Sequence, residues 1–290
     1  MIDSMGRATW RLAAGCLLAG LCLANLAHAD EAAVLAGLIN DYRENAESCN
    51  GQRHLAVGPL APDQRLARAR VSSSEQLQQV LGEAGYQAAA VQVVSVTGPG
   101  TAQQAMAELQ QNHCRHLLDA QFAELGVLHS GTTWQVILGR ALLPASLGDW
   151  QAEGQAILAA VNQARAAARR CGSQAFDAAP ALTWNDHLAQ AALAHSRDMA
   201  AHSRFSHQGR DGSLAGTRAT AAGYAWQLVG ENIAAGQGSA RQVVAGWLAS
   251  PSHCYNIMNP DFSQMGAAYA SNPQSEAAIY WTQVFGTPTP

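Results

Sequence analysis

The chain has 290 residues, 48% of them hydrophobic and 13% charged, with a formal net charge of −4. This is the profile of a globular chain with a core of its own and excludes a disordered one. Its 17 basic residues are all arginine and are scattered, with no run longer than the pair Arg169-Arg170; a nucleic-acid surface, where basic residues cluster on one face, is therefore not expected.

In chain order, the first segment reads as an export signal. Arg7 and Arg11 precede an apolar run from Leu12 to Leu26, and Ala27-His28-Ala29 supplies a cleavage site before Asp30. The run falls short of the roughly 20 residues a spanning helix needs. A lipid-modified Cys16 after Ala13-Ala14-Gly15 is the weaker alternative, because too little apolar chain lies beyond Arg11. Cleavage after Ala29 predicts a protein that does not span the membrane, in the periplasm or secreted. Cys49, Cys114, Cys171 and Cys254 then remain, and four cysteines in an exported chain suggest disulfides. Their spacing alone leaves three connectivities open.

The mature chain carries one pattern of residues twice. Asn40, Arg43, Cys49 and Pro59-Leu60 are matched by Asn162, Arg165, Cys171 and Pro180-Ala181-Leu182, and Ala84-Gly85-Tyr86 by Ala222-Gly223-Tyr224. Thr101 with Gln104, and Ser239 with Gln242, each read as the start of a helix. His113-Cys114 with Phe122 and Gly126 mirrors His253-Cys254 with Phe262 and Gly266. Alternating strands are predicted at 134–139 and in the stretch ending at Gly286. Two tandem units are thus expected, 30–145 and 150–290 after a signal peptide at 1–29, with the boundary near Pro144 to Gly154 where Pro and Gly enter. If each unit is closed on itself, the bridges are Cys49–Cys114 and Cys171–Cys254. The second unit has the longer span between its cysteines; the extra residues fall around Ala194 to Ala215 and include His207.

Within the second unit the periodicity predicts a helix over 157–170. A second is capped by Thr183 with Asp186 and runs through Met199, and a third is capped by Ser239 and runs through Trp247. Strands are expected over 265–270 and 279–285. This is an α/β arrangement in layers.

Five separated motifs then stand in order: Leu182-x-Trp184-Asn185, Phe205-Ser206-His207, Gly230-Glu231-Asn232-Ile233, the helix with Trp247, and Ser250-Pro251-Ser252-His253 leading to Asn256-Ile257-Met258-Asn259-Pro260. Over roughly 155–286 the chain resembles the CAP superfamily of cysteine-rich secretory, antigen 5 and pathogenesis-related 1 proteins, in its bacterial form. The resemblance implies an α-β-α sandwich, with the first half a degenerate copy. It also implies a cleft lined by His207, His253 and Glu231. The second acid of many members is missing from Trp247-Leu248-Ala249-Ser250, and Cys254 stands where bacterial members commonly have Arg.

Two imidazoles and a carboxylate could hold a divalent metal such as zinc with a position left for water, or form a metal-free polar cluster in which Glu231 orients a histidine. Ser206 and Ser252 are weak nucleophile candidates, and Cys254 is expected in a disulfide. His187, His195 and His202 read as solvent-facing or capping groups. In the first half His253 corresponds to His113 and Glu231 to Val91, so that copy looks emptied of the site. The resulting expectation is a non-enzymatic binding or interaction module for an envelope or extracellular ligand (a lipid, a cell-wall component or a protein). The alternative is a metal-dependent hydrolase using His207, Glu231 and His253 as its catalytic set.

Overall fold

The computed structural model describes residues 31–45, 48–71, 73–143 and 147–290. The expected export segment, with Cys16 and Cys22, and residues 144–146 of the expected boundary lie outside the described residues. The first half contains α1 (31–45), β1 (Ser48–Cys49), β2 (Gln52–Arg53), β3 (Ala61–Pro62), α2 (Gln64–Arg68), α3 (Ser74–Glu83), β4 (Ala88–Thr97), α4 (Ala102–Leu117), β5 (Glu124–Ser130) and β6 (Thr133–Ala141). The second contains α5 (Trp150–Arg165), β7 (Arg169–Cys171), β8 (Gln174–Phe176), β9 (Thr183–Trp184), α6 (Asp186–His202), α7 (Ala215–Ala221), β10 (Trp226–Ala235), α8 (Ala240–Leu248), α9 (Pro251–Met258), β11 (Gln264–Ser271) and β12 (Ile279–Pro288).

Each half builds a four-stranded sheet, in the order β3-β5-β6-β4 and β9-β11-β12-β10. In both, a short first strand pairs parallel to the third, and the other neighbours are antiparallel. Side chains on a strand alternate between faces, and β11 uses both. Met265 and Ala267 pack with Ile157 and Val161 of α5 and with Val243 and Trp247 of α8. Ala268 packs with Leu188 and Ala192 of α6. Helices therefore cover both faces of the second sheet, the layered α/β arrangement expected. The first sheet buries Val94, Val136 and Leu138 against Leu35 and Ile39 of α1 and Leu109 of α4.

Local chemistry explains where elements begin and end. Thr101 and Ser239 cap α4 and α8 as expected, each hydroxyl accepting from the N–H three residues on at 3.3 Å. Two boundaries differ from the sequence reading. Asn185 caps α6, accepting from His187 N and Leu188 N, while Thr183 lies in β9 against Gln264. The helix expected over 157–170 starts at Trp150 behind the cap Asp149 and stops at Arg165. Beyond it, Arg169–Cys171 forms a hairpin strand that turns at Gly172, whose φ of +57° suits glycine. An Asn50-Gly51 turn, both residues at positive φ, does the same between β1 and β2. These hairpins present the cysteines, and the disulfides are Cys49–Cys114 and Cys171–Cys254, the pairing that the repeat predicts.

The halves touch through polar and small residues. Gln237, fully buried, donates from Nε2 to Pro59 O at 2.7 Å and to Ala123 O at 3.2 Å. Asn40 of α1 donates to Ala249 O at 3.3 Å, and Gln242 of α8 donates to the buried Glu124.

Candidate functional site

The carboxylate of Glu231 is the centre of the site. Residues 231–235 of β10 are buried, and Glu231 itself is 8% exposed. Its Oε1 accepts from Nδ1 of His207 at 2.8 Å, and its Oε2 accepts from Arg218 at 2.6 Å. His195 Nε2 lies 3.9 Å from Oε1. Burial pushes the Glu231 carboxyl up, but the His207 hydrogen bond and the charges of His195 and Arg218 outweigh it and hold the group below the ordinary carboxylate range.

Each partner comes from a different element. Arg218 of α7 also donates to His207 O at 3.1 Å and to Ser213 O at 2.8 Å, so it ties the loop bearing His207 to the carboxylate. His195 of α6 is 1% exposed and donates from Nε2 to Ser206 O at 2.9 Å. Burial pushes its pKa down, with Glu231 pulling the other way. The reading of His195 as solvent-facing or capping is thus corrected: it faces the sheet and braces the Ser206-His207 loop. His187 and His202 are exposed and bond the carbonyls of Ala222 and Asp198. His207 is the outward member, its side chain 49% exposed.

His253 is placed differently. Its backbone carbonyl, on α9, accepts from Asn232 of β10 at 3.2 Å. Nδ1 of His253 lies 2.7 Å from Ser250 Oγ and 3.7 Å from a carboxylate of the first half, that of Glu44. No hydrogen bond or ion pair joins it to Glu231 or His207 among the described residues. Burial pushes its pKa down to about 4; Glu44 opposes that, and His207 adds to it.

Among the described residues each Glu231 oxygen already accepts a hydrogen bond, and the ring nitrogens left open to a metal are Nε2 of His207 and of His253. Among the described residues no three His, Cys, Asp or Glu side chains converge as metal ligands. The nucleophile candidates are engaged elsewhere: Ser206 Oγ accepts from Gln208 N, Ser252 donates to Glu44, and Cys254 is in its disulfide.

In the first half, sheet register corrects one correspondence. Glu231 pairs with Val284 of β12 and Val93 with Ile137 of β6, at the same level of the two sheets, so Val93 rather than Val91 is the counterpart. The substitution is apolar either way. His113 sits at a kink inside α4 and stacks on His116.

The model of the cysteine-rich secretory protein family, CAP, matches residues 158–285. That stretch is a CAP domain. The CAP domain is 34% identical over 104 residues to the uncharacterized protein YkwD of Bacillus subtilis, a match covering 36% of this chain and 38% of that protein. It is 32% identical over 85 residues to the uncharacterized membrane protein YlbC of the same organism, covering 29% and 25%. The chain thus spans well under half the length of these curated relatives. Among solved structures, an extracellular protein containing an SCP domain from Bacillus anthracis is similar at 18% identity, with 76% of each chain covered and a TM-score of 0.42. Among the described residues no helix is long and apolar enough to cross a membrane. The two disulfides suit an oxidising compartment.

Proposed function

We propose that the protein is an exported, non-enzymatic binding module, periplasmic or secreted, that meets an envelope or extracellular ligand at the His207 face of its CAP domain. The observation that carries this reading is the asymmetry of the Glu231 cluster. Glu231, His195 and Arg218 are buried and bonded to one another or to the loop, and only the His207 ring is presented outward. A buried carboxylate that fixes the Nδ1 side of an exposed imidazole leaves Nε2 aimed at whatever docks there. Among the described residues, the hydroxyls and thiol nearest in sequence to the histidines are engaged elsewhere: Ser206 with Gln208, Ser252 with Glu44 and Cys254 in its disulfide.

In the same proposal, residues 30–145 are a degenerate copy of residues 150–290 that lost this cluster and kept the frame. Shared strand order and the paired Asn40 and Asn162 support it. Each of these asparagines bonds both backbone groups of a residue ahead of the first strand, Leu60 and Leu182.

The test is sedimentation of the mature chain with purified peptidoglycan sacculi and, separately, with phosphatidylglycerol vesicles, beside His207→Ala. Binding to either probe, weakened about tenfold by the loss of one good polar contact, supports the reading. Binding that His207→Ala leaves untouched, or failure to bind both probes and any envelope protein cross-linked through residue 207, overturns it.

A further inference from the structure

We propose that Glu44, on α1 of the first half, is the positioning residue of His253: through Ser250 it fixes the proton on Nδ1 and leaves Nε2 as a bare acceptor for a ligand N–H or O–H. The proposal rests on the binding reading above and deepens it, because it makes the first half a contributor to the site of the second.

Two backbone features place Glu44 there. Where α4 runs on through its kink at His113, α8 stops at Leu248 and α9 restarts at Pro251, and Ala249 and Ser250 lie in the break. Asn40 and Glu44, one turn apart on α1 and so on one face, both reach this break: Asn40 donates to Ala249 O, and Glu44 receives Ser250 Oγ at 3.4 Å. Ser252 also donates to the same Glu44 oxygen. The carboxylate thus sits at the positive N-terminal end of α9.

Proton counting then sets the direction of the chain of bonds. Glu44 at 3.4 Å and Nδ1 of His253 at 2.7 Å compete for the one hydroxyl proton of Ser250, and in this proposal it goes to Glu44, whose negative charge makes it the stronger acceptor. Ser250 Oγ can then only accept from His253, and Nδ1 must carry the proton. Ser250 stands at the N-cap position of α9, yet its hydroxyl makes no cap bond, whereas Ser239 at the head of α8 makes one. Its full burial holds it in the relay. In the neutral ring the second nitrogen, Nε2, is left with its lone pair, and it has no hydrogen-bond partner among the described residues. The Trp247 helix carries no acid of its own, and among the described residues the carboxylate nearest to Nδ1 of His253 is that of Glu44, at 3.7 Å.

The experiment is long-range proton–nitrogen NMR of the His253 imidazole in the mature full chain, with folding checked by the amide spectrum. The unaltered protein is expected in the Nδ1–H tautomer. Glu44→Ala frees the Ser250 proton to turn toward Nδ1, and the Nδ1–H to Nε2–H ratio falls about tenfold, the weight of one ordinary hydrogen bond. Ser250→Ala gives the same fall with Glu44 intact, while Ser250→Thr, which keeps the hydroxyl, preserves the tautomer. An Nε2–H tautomer in the unaltered protein, or an unchanged ratio in folded Glu44→Ala, overturns the proposal. Should Glu44→Ala not fold, the Ser250 pair decides. A shifted tautomer together with undiminished ligand binding by His207→Ala would sink the binding reading and leave this inference standing.

Discussion

Arg43 and Arg165 make the same hydrogen bonds in the two halves of the chain. Nε of Arg43 donates to Gly58 O at 2.8 Å, and Nε of Arg165 to Pro180 O at 2.7 Å. Nη1 of Arg43 reaches Leu117 O and Asp119 O, and Nη1 of Arg165 reaches Ile257 O and Asn259 O. The remaining nitrogens donate to Phe122 O and Phe262 O, both at 3.3 Å. Each guanidinium thus gathers the carbonyls at the C-terminal end of a helix and the strand approach beside it, where a cation also suits the helix dipole.

Removing either arginine strands several carbonyls in a buried place. Arg165→Lys is expected to cost nearly as much as Arg165→Ala, because an ammonium cannot reproduce the planar fork. Each should lower stability by about 3 kcal/mol or more, as should the matching changes at Arg43. Urea unfolding of the four variants checks this; a loss below about 1 kcal/mol at either site would show that the carbonyls find other donors.

Gly126 and Gly266 form a second matched pair. A Cβ on Gly126 would fall 2.2 Å from Leu66 C, and one on Gly266 would fall 2.0 Å from Ala189 N. Both glycines let a helix, α2 or α6, lie directly on its sheet, and the colliding atoms are backbone that cannot swing aside. Gly126→Ala and Gly266→Ala are each expected to destabilise by about 2 kcal/mol or more, read as a drop in thermal midpoint. A neutral Gly266→Ala would mean that α6 can lift from β11 at no cost.

The repeated Asn, Arg, Gly and Cys positions were legible in the sequence because each fixes backbone that both halves share. Strand alternation and the Thr101 and Ser239 caps were legible for the same local reason. The candidate site was only partly so. Glu231 and His207 could be named from their motifs, but Arg218 stands in a short helix of small residues, Ala215–Ala221, with nothing nearby in sequence to mark it as a partner. His195 was misread because a histidine on a helix looks the same whether that face meets water or Ser206. Glu44 was invisible: its partners Ser250, Ser252 and His253 lie more than 200 positions away, and contact between the halves has no periodic signal.

The disulfides predict a chemical result. Peptide mapping without reductant should yield the linked peptides Cys49–Cys114 and Cys171–Cys254. Each bridge closes a long loop, 65 and 83 residues in separation, so breaking one by paired Cys→Ser changes should cost about 2–5 kcal/mol. A Cys114–Cys171 linked peptide would contradict the pairing.

Stability should also fall with acidity over a defined range. His253 is buried, with a pKa near 4 against an ordinary 6.5, and the groups facing it are Glu44, Ser250 and His207. Between those two values the unfolded chain holds a proton that the folded chain refuses. Stability therefore rises with pH across this window and is lost as the pH drops from about 6.5 toward 4, by on the order of 3 kcal/mol at most. His195, also lowered by burial, pulls in the same direction. The depressed Glu231 carboxyl contributes stability above its unfolded value, and that contribution is lost as the pH falls through the folded one. It steepens the loss only below about pH 4.5. Urea unfolding at pH 7, 5.5 and 4.5 should show the decline beginning in the histidine range, and His253→Gln should flatten that first part while leaving the carboxylate limb. A stability constant from pH 7 to 5 would mean that water reaches the His253 ring and lets it charge without cost.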